Sequence, residues 1–128
     1  MRRYLIVFSL SLFYTTLLKA QHYLDLSKEK TVTLLKKDKK HKPTLHFDKK
    51  GFCDIEGYQY DNKTDFEKKL QEILKVQSFE WIKINENQFV SNFKEQRLLE
   101  IFDETSPYQV RILRTAWSKE LYELLLKK

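Results

Sequence analysis

The tetrapeptide Asp48-Lys49-Lys50-Gly51 restricts the fold of this chain more than any other short segment. A glycine in fourth place admits the left-handed conformation that closes a three-residue hairpin loop with a G1 bulge. Closure there pairs Asp48 with Phe52, Phe47 with Cys53, His46 with Asp54 and Leu45 with Ile55. In that register Leu45, Phe47, Cys53 and Ile55 share one face, and Thr44, His46, Asp54 and Glu56 share the other. Turn chemistry and alternation therefore agree on a hairpin over 44–56. Gly57 is expected to act as a bulge that returns Tyr58 and Tyr60 to the apolar face.

The remaining elements follow from periodicity. Residues 31–35 (TVTLL) are β-branched and leucine-rich, which predicts a first strand and a small β-meander over about 31–60. Thr64-Asp65-Phe66-Glu67 reads as a capping box, and Phe66, Leu70, Ile73 and Leu74 recur at helical spacing, so a helix is expected over about 64–76. The stretch 78–92 fits either a second hairpin around Asn85-Glu86-Asn87 or a helix capped by Asn85; the helix, over about 86–103, is the preferred reading. Ser106 and Pro107 suit the N-cap and first position of a third helix over about 107–127, with Val110, Leu113, Trp117, Leu121 and Leu124 along its face. The expected fold is α+β, a small β-meander or hairpin followed by about three helices.

Upstream of these elements lies a different kind of segment. Arg2 and Arg3 precede an apolar run from Tyr4 to Leu18, which ends at Lys19-Ala20 before Gln21. That order of charge, apolar run and small residue predicts a secretory signal peptide over 1–20, cleaved after Ala20. The run spans 15 residues and includes Ser9, Ser11, Thr15 and Thr16, whereas a membrane span needs ~20 mostly apolar residues. Residues 21–128 then form a single small α+β domain, secreted or periplasmic in location.

Loss of Arg2, Arg3 and Lys19 with the signal leaves 21 basic and 18 acidic residues, a net charge of +3. So modest an excess, in an exported chain, argues against a nucleic-acid partner. The charge is unevenly spread: residues 21–53 carry +5, residues 54–104 carry −5, and residues 105–128 carry +3. Such asymmetry can orient a docking face. Cys53 is the single cysteine, so no internal disulfide can form, which suits a bacterial envelope better than an animal secretion. Asn62-Lys63-Thr64 has the form of a glycosylation sequon, read as coincidental because Thr64 is assigned a capping role.

Few constellations point to chemistry. His46 opposite Asp54 could orient an imidazole for hydrolytic or metal chemistry, though a solvated hairpin face accounts for the pair as well. The hairpin register separates Cys53 from His46, which leaves Cys53 as a small buried residue rather than a nucleophile. His41, His46, Asp48 and Cys53 match no closed zinc spacing, and two glycines in the chain cannot build a phosphate loop. No catalytic residue, metal or cofactor is assigned. The cluster Lys36, Lys37, Lys39, Lys40 and Lys42 could hold an acidic protein or an anionic membrane surface, and Trp81 is a candidate binding anchor. The apolar end Leu121, Leu124, Leu125 and Leu126 could contact a partner. These features favour a small exported, non-enzymatic protein that binds another protein, in the manner of an inhibitor, immunity or accessory protein. The alternatives are an envelope component held by an uncleaved N-terminus or anionic lipid, and a small metal-dependent or hydrolytic protein built on His46 and Asp54.

Overall fold

A computed structural model describes residues 23–38 and 43–127; the expected signal segment 1–20 lies outside them. Among the described residues the architecture is α+β. It comprises α1 (Lys28–Lys37), β1 (Thr44–Phe47), β2 (Cys53–Tyr60), α2 (Lys63–Leu74), a 3-10 turn (Gln77–Phe79), β3 (Ile82–Asn85), β4 (Gln88–Val90), β5 (Arg97–Phe102), β6 (Tyr108–Arg114) and α3 (Lys119–Leu126). The six strands form one antiparallel sheet in the order β1-β2-β6-β5-β4-β3.

The expected hairpin is present, with one consequential change of register. The Asp48 amide donates to the Phe52 carbonyl at 2.8 Å and the Gly51 amide to the Asp48 carbonyl at 3.0 Å, with Gly51 at φ 86°. Phe47 pairs with Cys53 as expected, but His46 then pairs with Ile55 and Leu45 with Glu56. The bulge therefore lies at Asp54, not at Gly57, which pairs regularly with Thr44 and Arg111. One inserted residue exchanges the faces of everything after it. Glu56 thereby enters the interior beside Cys53, in the place that regular alternation assigns to Ile55, and Tyr58 and Tyr60 follow it.

The interior is built from that face. Glu56, Tyr58 and Tyr60 pair with Ile112, Val110 and Tyr108, and Leu99 and Ile101 of β5 continue the same surface. Helix α2 lies across β2 and β6, with Phe66 and Ile73 buried against Tyr58, Leu99, Ile101, Val110 and Ile112. The helix begins at Lys63 because Asn62, rather than Thr64, supplies the cap: its side chain accepts from the amides of Thr64 at 2.7 Å and Asp65 at 3.3 Å. That engaged carboxamide belongs to the sequon-like triplet.

Three assignments of secondary structure are also corrected. Residues 31–35 belong to α1, not to a strand. Thr31 and Thr33 bond back to the carbonyls of Lys28 and Glu29, and Ser27 caps the helix, so local polar bonding offsets their β-branched preference. The helix expected over 86–103 is instead β4 and β5, with β3 completing the hairpin that the Asn85-Glu86-Asn87 turn encodes. Asn85 accepts from the Asn87 amide at 2.9 Å, an Asx turn that reverses the chain. The helix expected over 107–127 is β6 followed by the short α3, which Ser118 caps by accepting from the Leu121 amide. Within β6, Tyr108, Val110 and Ile112 face the core while Gln109 and Arg111 alternate with them. That two-residue period outweighed the apparent helical spacing.

Glu56 ties the amino-terminal segment to this sheet. Its side chain is fully buried and accepts from the amides of Tyr23 at 2.8 Å and Leu24 at 3.3 Å, and from the Tyr58 hydroxyl. Removing the carboxylate leaves buried donors without acceptors, so Glu56→Ala should cost about 3 kcal/mol in urea unfolding. Glu56→Gln, which keeps one carbonyl oxygen, should cost roughly half as much. Equal stability of the wild type and Glu56→Ala would show that the contacts contribute nothing net.

Candidate functional site

The residues nominated from sequence do not assemble into one site. Lys36 and Lys37 occupy the exposed last turn of α1, whereas Lys39, Lys40 and Lys42, with His41, lie outside the described residues. Trp81 is half-buried. Its Nε1 donates to the Ile73 carbonyl at 3.1 Å and its ring lies 5.2 Å from that of Phe79, so it fastens the end of α2 to the chain that follows. His46 Nδ1 lies 2.6 Å from Asp54 Oδ1 on an exposed face. The bulge makes Asp54 the extra residue of β2, yet the side chains still meet. Cys53 is fully buried, its Sγ 3.4 Å from the Ile55 carbonyl, and burial with the neighbouring Glu56 raises its thiol to about 11. Such a thiol holds its proton and is a poor nucleophile at neutral pH. Among the described residues no group of three or more His, Cys, Asp or Glu side chains could hold a metal ion.

Two polar arrangements were not anticipated. The first extends from Glu56 toward α2. Lys69 is almost wholly buried, with Nζ 4.1 Å from the centre of the Tyr58 ring and 3.4 Å from Glu72. The ring face accommodates the buried ammonium. Burial and the Glu56 carboxylate raise the Tyr58 hydroxyl well above the usual phenol range, so it stays a donor. Burial and Asp38 push Tyr23 up to about 12.

The second is an ionic chain at the carboxyl end of β6. Asp25, in the left-handed region at φ 69°, accepts from Arg97 and, at 2.9 Å, from Arg114; Arg114 also donates to Asp48 at 2.5 Å. It links the amino-terminal segment, the hairpin loop, β5 and β6. Beside it opens a cleft of about 300 Å³ between residues 24–26, the 3-10 turn and the start of β5. Leu24, Phe79 and Ile112 supply apolar wall, while Asp25, Glu95 and Arg97 supply charge. Sequence alone held little sign of this site, because Asp25, Glu95 and Arg97 are scattered along the chain and converge only through sheet pairing.

A further surface lies on α3. Tyr122 is its buried residue, with the hydroxyl donating to the Ser91 carbonyl and the ring packed against Phe93 and Trp117. Leu121 and Leu124, one turn apart, remain 47% and 58% exposed. Among the described residues no helix is long and apolar enough to cross a membrane. No protein-family model matches this chain, and no curated protein or solved structure shows significant similarity to it.

The ionic chain carries an acid dependence. Amides of the loop, led by Phe52, and the Arg114 guanidinium hold the Asp48 carboxyl down at about 2; burial opposes ionisation of Asp25, but Arg114 and Arg97 outweigh it and hold that carboxyl low as well. A depressed folded value stabilises the fold above the unfolded value near 3.8 and loses that contribution as pH falls toward 2. Thermal melts between pH 5 and 2 should therefore drop more steeply for the wild type than for Asp48→Asn, and parallel curves would remove Asp48 from the acid response.

Proposed function

We propose that this is a small exported, non-catalytic protein that binds another protein, of inhibitor, immunity or accessory type. The observation that supports this best is the apolar ridge of α3. Leu121 and Leu124 project from a helix anchored elsewhere by Tyr122, so they add little to the fold while presenting aliphatic surface on a rigid element. Contiguous exposed apolar groups on a soluble domain are more characteristic of contact surfaces than of ordinary exterior. Buried Cys53 and solvated His46 supply no nucleophile paired with a base, which is consistent with a binding role. The exposed Lys36 and Lys37 would give long-range attraction to an acidic partner surface, and the ridge would give short-range adhesion.

The amino-terminal charge and apolar pattern supports export. Intact mass of the purified native protein should correspond to a chain that starts at Gln21. The double variant Leu121→Ser/Leu124→Ser should keep the wild-type near-UV circular dichroism. It should lose roughly tenfold or more in affinity for the protein partner recovered by crosslinking from an envelope fraction. Undiminished recovery by a correctly folded double variant would remove the ridge from the binding surface.

A further inference from the structure

Helix α1 and the hairpin loop join into one basic surface. The Lys28 amide donates to the Gly51 carbonyl at 3.0 Å, the Cys53 amide donates to the Leu26 carbonyl at 2.9 Å, and Ser27 bridges Phe52. These bonds set the first turn of α1, with Lys28 and Lys30, against the loop that carries Lys49 and Lys50, and Lys36 and Lys37 continue the charge along the helix. None of these six lysines pairs with a carboxylate among the described residues. Asp25 and Asp48, the nearest acids of the loop and its flank, are matched by Arg97 and Arg114, so within α1 and the loop Glu29 stands against six cations. Apolar groups are exposed on the same surface. Phe52, which ends the loop, and Leu34 are each 41% exposed, and Leu34 joins Leu26, Glu29, Lys30 and Thr33 around a shallow depression of about 400 Å³ along the helix.

The geometry points to a docking surface for an anionic phospholipid membrane, with the lysines among the headgroups and Phe52 and Leu34 at the boundary with the acyl chains. Surfaces that lie in that boundary combine lysine with exposed Phe and Leu, and each unpaired lysine is attracted to an anionic leaflet. An acidic protein matches less well, because protein contact surfaces are enriched in Arg and depleted of Lys. Here the described arginines are committed inside the molecule, Arg97 to Asp25, Arg111 to Glu100, and Arg114 to Asp25 and Asp48. The loop is also preorganised. The Asp48 carboxylate accepts from the amides of Lys50 at 2.9 Å and Phe52 at 3.0 Å and is held by Arg114, so Lys49, Lys50 and Phe52 are presented with little ordering cost on binding. Helix α3 takes no part, so this assignment and the α3 ridge can each fail without the other.

The test is co-sedimentation of the purified native protein with vesicles of phosphatidylcholine, with and without phosphatidylglycerol as a third of the lipid. Binding to the anionic vesicles should be about tenfold tighter or more, and high salt should release it. Lys49→Ser/Lys50→Ser should bind those vesicles about tenfold more weakly. Phe52→Ser should also lose about tenfold, through the lost apolar burial. Both variants should keep the wild-type near-UV circular dichroism, since the altered side chains are exposed. In Phe52→Trp, brominated lipid should quench emission beyond the level seen in the wild type, a readout that depends on insertion of the loop rather than on charge. Equal binding to the two kinds of vesicle, binding to neither, or undiminished binding by a folded Phe52→Ser overturns the surface. Retention on soluble polyglutamate without binding to vesicles would reassign the lysines to an acidic polypeptide and overturn the membrane assignment.

Discussion

A carboxylate buried to complete exclusion of solvent organises this molecule. Desolvating Glu56 is costly, and the cost is offset only where acceptor capacity is met by well-placed donors. Two of those donors are consecutive backbone amides, Tyr23 and Leu24, and a third is the Tyr58 hydroxyl on the same strand. The interaction is therefore topological as well as energetic. It fixes where the amino-terminal segment meets the sheet, after which the backbone bonds of Asp25, Lys28 and Cys53 can form alongside the hairpin. Helix α1 and the ionic chain through Asp25 both depend on that placement.

The bulge at Asp54 is what delivers Glu56 to the interior. Without it, Ile55 would complete the apolar face and Glu56 would point to solvent, and the amides of Tyr23 and Leu24 would need other acceptors. The extra residue thus substitutes a polar anchor for an aliphatic contact. A polar network of this kind discriminates among arrangements of similar apolar content, because a displaced segment leaves donors and acceptors unpaired.

The legible parts of the fold were those encoded by local chemistry. The Asp48–Gly51 turn appeared where its residues required, and Phe66, Leu70, Ile73 and Leu74 marked α2 because their period of 3.6 has few competing explanations. The β6 strand was missed because Val110, Leu113 and Trp117 also satisfy helical steps, while the β-branched alternation of Val110 and Ile112 decides the matter once Leu99 and Ile101 lie beside them. At 31–35 the reverse occurred: threonines that favour strands formed helix, with their hydroxyls bonded to preceding carbonyls. The bulge could not be read at all, since nothing in Asp54-Ile55 distinguishes regular from bulged pairing. With it went the interior position of Glu56, and with that the position of every polar group that meets it.

The cleft inherits its shape from these same contacts. One wall is the segment that Glu56 and Asp25 fasten, another is the 3-10 turn that Trp81 steadies through Ile73, and the floor is sheet. None of the walls belongs to a long element, so each is positioned by tertiary bonds whose strength limits how well the cleft is preorganised. The buried carboxylate that closes the fold therefore also holds one wall of the cleft in place, through the amides of Tyr23 and Leu24.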